Sequence, residues 1–86
     1  MGKFSFEDDG WLHYLYWQMQ DRKTLRRINQ LLQSIERNGY NCIGKPEPLK
    51  GNLSSMWSVR IDEENRIVFK VEGDTLKIYS CAGHYE

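Results

Sequence analysis

The chain has 86 residues, with twelve Lys and Arg against twelve Asp and Glu, a formal net charge of zero and 13% aromatic residues. This length supports one small hydrophobic core, so residues 1–86 are read as a single domain, and the aromatic content excludes a disordered chain. No apolar run nears the roughly 18 residues of a membrane span, and Met1–Phe6 is too short and too polar for a signal peptide, which leaves the cytoplasm as the expected compartment.

Lys3-Phe4-Ser5-Phe6 alternates and predicts a short first strand. Glu7-Asp8-Asp9 supplies N-cap and first-turn acids for a helix in which Trp11, Leu12, Tyr14, Leu15, Tyr16 and Met19 recur at helical spacing. His13 stands among them, where packing or exposure explains a histidine better than catalysis does. Asp21 ends this helix and caps a second one. The second helix carries a stripe of Leu25, Ile28, Leu31, Leu32 and Ile35 and stops at Asn38-Gly39. Two helices so closely joined form an αα-hairpin that needs a sheet to cover its apolar side.

From Tyr40 to Ser55 glycines, prolines and serines read as loop. Pro46 and Pro48 bias Lys45 and Glu47 toward extended conformations, which would fix the direction of Glu47. Strands follow at Met56–Ile61, Arg66–Val71 and Leu76–Ala82, with a turn at Glu72-Gly73-Asp74 and a tail of Gly83-His84-Tyr85-Glu86. The order is β-α-α-β-β-β: an α+β fold with both helices on one face of an antiparallel sheet. A loop of odd length between the first two of these three strands would put Arg60 and Arg66 on the same face, and an even one on opposite faces. Cys42 and Cys81 match no paired redox or metal motif and read as buried, reduced thiols.

The zero net charge hides an uneven distribution. Between Arg22 and Arg60 eight basic residues face two acidic ones, a surplus of six, and the remainder has four basic against ten acidic, a deficit of six. Lys23, Arg26 and Arg27, with Arg22, crowd the first turns of the second helix, where the helix dipole disfavours cations. A solvated face and an anion-docking surface for phosphate backbone explain that cluster equally well.

No glycine-rich nucleotide loop and no HExxH or paired-cysteine pattern occurs, so neither a cofactor nor a metal is expected. What remains is Glu47 and Lys50 in the proline loop, Arg60 and Arg66 on strands, and His84-Tyr85 at the end. Metal-free RNA cleavage uses such groups: a base for the 2′-hydroxyl proton, an acid for the departing 5′-oxygen, and cations around the phosphorane. Glu47 suits the base, His84 the acid, Arg66 with Arg60 and Lys50 the cationic frame, and Tyr85 a stacking ring or hydroxyl. Residue types alone do not favour this set over loop surface, solvated strand positions and a frayed terminus.

Tyr14-Leu-Tyr-Trp-Gln, Gly44-Lys-Pro-Glu-Pro-Leu-Lys50, Asn52-Leu-Ser, Trp57-Ser, Glu63-Glu64 followed by Arg66, and His84-Tyr85 together resemble the YoeB/Txe toxins of the RelE superfamily. The resemblance runs from Lys3 to Tyr85. It implies a RelE-like fold and a ribosome-dependent mRNA endonuclease of a toxin–antitoxin module. Carried over position by position, it makes Glu47 the general base, Arg66 the transition-state arginine, His84 and Tyr85 the catalytic tail, and Lys50 and Arg60 basic positions of the same site. Lys23, Arg26 and Arg27 fall where the family meets ribosomal RNA. The partners implied are a YefM/Axe-like antitoxin, the ribosome with its mRNA, operator DNA through the antitoxin complex, and optionally a second copy of the chain; no membrane is implied. Val59, where an arginine is common, Ala82-Gly83 before the tail, and Glu86 after Tyr85 depart from the family pattern. Two other classes stay open, a non-catalytic binding toxin resembling ParE and an antitoxin-dependent DNA-binding co-repressor.

Overall fold

In a computed structural model, which describes residues 2–53 and 55–83, strand β1 (Lys3–Phe6) leads into helices α1 (Gly10–Gln20) and α2 (Arg22–Asn38). Strands β2 (Glu47–Pro48), β3 (Trp57–Arg60), β4 (Arg66–Glu72) and β5 (Thr75–Ser80) follow. His84 and Tyr85 lie outside the described residues. No helix among those described is long and apolar enough to cross a membrane.

The helix boundary at Asp21 is as expected. Its carboxylate accepts from the backbone N–H groups of Lys23 and Thr24 and from the Thr24 hydroxyl, filling two of the open donors at the start of α2. Asp9 occupies the corresponding position before α1 but makes no side-chain cap. At the other end α2 stops at Gly39, where φ is +61°.

The α+β order stands, and the sheet differs from the expected all-antiparallel one. Its strand order is β1-β5-β4-β3-β2, and β1 runs parallel to β5. The chain reaches the far edge after α2 and returns through three antiparallel steps, which brings β5 between β4 and β1 and running in the same direction as β1. A fifth strand, β2, occupies part of the stretch read as loop. Pro48 has no N–H to continue its ladder, so β2 remains a two-residue edge. Glu47 is extended as expected, whereas Lys45 sits at φ +54°, in the left-handed region. The bend there seats Gly44, whose carbonyl accepts from the Arg60 N–H at 2.7 Å. At φ +93°, with space for a Cβ already taken by Leu31 and Val59, position 44 requires glycine.

The helices cover one sheet face. Ile28, Leu31, Leu32 and Ile35 of α2 meet Val59, Ile67, Phe69, Leu76 and Ile78, with Tyr14 and Trp17 of α1 packed against them. The stripe read from α2 is therefore the core, apart from a half-buried Leu25. That of α1 is split, since Leu12, Tyr16 and Met19 are exposed. Tyr40 extends the core, stacking on Trp57 at 4.6 Å and accepting the Val71 N–H at its hydroxyl.

Both cysteines are free and buried, and burial pushes the Cys81 thiol up to about 12 and that of Cys42 upward. The folded protein should resist alkylation by iodoacetamide at pH 8 at both positions and react at both once denatured, as read by intact mass. Rapid labelling of native Cys81 would contradict the fold. Hydrogen bonds from the Thr24 hydroxyl and N–H, then Lys23, hold the Asp21 carboxyl below its usual range. The stability it contributes is therefore full above the ordinary carboxylate pKa and is lost as pH falls through the lowered value. Asp21→Ala should lower the melting temperature at pH 7 and converge with the parent in acid; an equal loss at both extremes would refute the cap.

Candidate active site

Cross-strand register assembles the site. Glu47 pairs with Ser58, Ser58 with Val68, and Val68 with Ser80, so the four form one row from β2 to β5. Paired residues share a face, here the one opposite the helices. Arg60 pairs directly with Arg66 across a five-residue connection, residues 61–65. The odd length expected for a shared site is therefore present.

Arg66 lies two residues before Val68 on β4 and leans over the row. One of its terminal nitrogens, Nη1, donates to the Ser58 hydroxyl at 3.1 Å, and the other, Nη2, stands 3.9 Å from Glu47 Oε1. The arginine side chain is 14% exposed and the glutamate 62%. A guanidinium anchored by a buried serine thus faces a carboxylate whose other side is open to solvent. Such a pair can take a proton and hold an anion at adjacent points.

The other expected residues are distributed around it. Lys50 is exposed three residues beyond Glu47, just before a short 3₁₀ turn at Gly51–Leu53. Arg60, on the same face as Arg66, donates from Nε to the Asp62 carbonyl at 3.3 Å. This draws it along the strand end and away from a like charge directly opposite. Gly83, the last described residue, is fastened next to Arg66. The Arg66 N–H donates to the Gly83 carbonyl at 2.9 Å, and the Gly83 N–H donates to Asn65 Oδ1 at 3.0 Å. His84 and Tyr85 follow Gly83 in the sequence and lie outside the described residues.

The basic run of α2 divides into two faces, as spacing of four along a helix dictates. Lys23 and Arg27 line a hollow of about 370 Å³ with Thr24, Ile61 and Asp62, and Arg27 Nη2 donates to the Arg60 carbonyl at 3.4 Å. Arg26 lines another, of about 590 Å³, with Gln18, Arg22 and Leu25. Arg27 is thus joined to the strand that carries Arg60, Lys23 shares its hollow, and Arg26 lines a different one. The larger hollow is not lined by Glu47 or Arg66.

Three residues not singled out from the sequence serve the site. Ser58 seats Arg66, Asn65 holds Gly83, and Asp62 accepts from the Glu64 and Asn65 N–H groups to shape the turn before Arg66. Ser58 gave one signal: a small polar residue between Trp57 and Val59 in an alternating strand marks the face away from the core. Asp62 gave another, as an acid able to close an Asx turn.

Comparison with known proteins defines the class first. The protein is 43% identical to the toxin chain of a solved YoeB–YefM complex from Staphylococcus aureus, with a TM-score of 0.89 over 96% of this chain and 97% of that one. A YoeB dimer from the same organism matches at 44% identity with the same TM-score and coverage. Toxin YoeB of Synechocystis sp. is 46% identical over 84 residues, 98% of each chain. The signature described as the YoeB-like toxin of bacterial type II toxin–antitoxin systems matches residues 6–85. This chain belongs to that family and is the toxin of such a system.

An ion pair with so exposed a glutamate contributes about 0–1 kcal/mol. Glu47→Ala should therefore leave thermal unfolding nearly unchanged; a loss of several kcal/mol would make the pair structural.

Proposed function

We propose that this protein is a ribosome-dependent mRNA endonuclease that cuts messages in the decoding site and so inhibits translation. The observation that carries this reading is the meeting of Glu47 and Arg66 on the helix-free face, beside the point where Gly83 is fastened. Glu47 takes the proton of the ribose 2′-hydroxyl as its oxygen attacks the phosphorus. His84, as imidazolium, gives a proton to the departing 5′-oxygen. The products are a 2′,3′-cyclic phosphate and a 5′-hydroxyl, with no water consumed and no metal required by the scheme. Arg66, held by Ser58, stabilises the charge on the phosphorane, Lys50 and Arg60 bind flanking phosphates, and Tyr85 stacks on a base or orients the leaving group.

Lys23, Arg26 and Arg27 dock ribosomal RNA, an assignment supported by their exposed or half-buried positions on α2. The division of the helix into two basic faces makes Lys23 and Arg27 the pair nearer the site. A YefM/Axe-like antitoxin neutralises the toxin and carries the pair to operator DNA. The toxin itself pairs with a second copy; the solved YoeB–YefM complex supports the antitoxin partner and the solved YoeB dimer supports this pairing.

The test is single-turnover cleavage of mRNA on programmed ribosomes. Glu47→Ala and His84→Ala should each slow cutting by about 10²–10⁴-fold, the usual contribution of a general base or acid. Parental rates in both variants would overturn the nuclease reading.

A further inference from the structure

The segment leading to the catalytic tail is bound at both ends, and one of its holders is a histidine that the cleavage scheme does not use. Strand β5 was expected to continue to Ala82 and ends at Ser80. At Cys81 the backbone leaves the sheet ladder because α1 takes both of its polar groups. The Cys81 N–H donates to His13 Nδ1 at 3.1 Å, and the Cys81 carbonyl accepts from Trp17 Nε1 at 2.8 Å. His13 and Trp17 stand four apart, one helical turn, and so reach one residue from one face. Two residues later Asn65 and the Arg66 backbone take both polar groups of Gly83.

Helix α1 is itself fixed against β5. A Cβ on Gly10 would collide with the Ile78 carbonyl oxygen, the Glu7 N–H donates to that same carbonyl at 2.8 Å, and the Cys81 thiol reaches the Gly10 carbonyl at 3.6 Å. The two hydrogen bonds to Cys81 therefore come from a helix that is itself seated directly on β5. Because Nδ1 accepts, the neutral ring carries its proton on Nε2.

We propose that His13 and Trp17 are positioning residues that set the direction in which the catalytic tail leaves β5. Their hydrogen bonds to Cys81, with those of Asn65 and Arg66 to Gly83, make residues 81–83 a fixed bracket. Gly83, the residue that precedes His84 in the sequence, is thereby held at a constant point beside Arg66. This inference rests on the assignment of His84 as general acid. Misplacement of a reacting group by about 1 Å costs up to 10²-fold in rate, so a loosened bracket acts on the chemical step and not on ribosome docking, which belongs to α2.

The test separates ring volume from acceptor. His13→Phe keeps a ring and removes the acceptor; His13→Asn places Oδ1 at the same bond distance from Cβ as Nδ1 and restores it. In single-turnover cleavage on ribosomes, His13→Phe should lower the saturating rate by roughly 10–100-fold while leaving the half-saturating toxin concentration unchanged. His13→Asn should recover most of that rate, and Trp17→Phe should reproduce the loss. Hydrogen exchange at the Cys81 amide, which needs no activity, should speed up in His13→Phe and slow again in His13→Asn. A parental rate in His13→Phe with Glu47→Ala and His84→Ala inactive would overturn the bracket alone. Parental rates in all of them would overturn the nuclease reading beneath it. If His13→Asn fails to recover the rate although its melting temperature matches the parent, the acceptor role is refuted.

Discussion

The turn between β3 and β4 is the constraint on which the site depends. Five residues separate Arg60 from Arg66, and the Asp62 carboxylate organises them by accepting the Glu64 and Asn65 N–H groups. Alternation along a strand makes the parity of that connection decisive. With one residue more or less, Arg66 would point into the helix-covered core and Ile67 would face solvent. In the parity present, the apolar set Val59, Ile67 and Phe69 closes the core, and the polar set Ser58 and Arg66 meets Glu47. Packing and chemistry are thus specified by one register.

The edge strand that carries Glu47 depends on a different device. Gly44 enters a space bounded by Leu31 and Val59 where no side chain fits, and its carbonyl is taken by Arg60. From there Pro46 and Pro48 allow only a brief pairing with β3, enough to bring Glu47 opposite Ser58. The carboxylate is left largely exposed while the arginine it faces is largely covered. A rigid cation with an accessible base beside it suits chemistry on a polyanion brought from outside.

Helix α1 has the least regular role. Its apolar residues recur at helical spacing, yet Leu12, Tyr16 and Met19 are exposed and Tyr14 and Trp17 do the packing. Besides that packing, the helix is held by a glycine contact with β5 and two side-chain hydrogen bonds to Cys81. None of these has a period, so the pattern that marks the helix says nothing of how it docks. Lys45 is a comparable case: a residue before proline is biased to extended backbone, and tertiary contact at Gly44 places it at φ +54° instead.

Taken by itself, the amino-acid order determined both helices, four of the five strands, the capping role of Asp21, the core stripe of α2 and the toxin family, because these follow from local periodicity, hydrogen-bonding capacity and a motif-level resemblance. Only the tertiary structure decided that β1 runs parallel to β5, that Ser58 seats Arg66 beside Glu47, that Arg27 reaches the Arg60 carbonyl, and that His13 serves the backbone of Cys81. Each of these joins residues distant in the chain, and such a pairing has no period for a sequence to display; it exists once the sheet register and the seating of the helices have been fixed together.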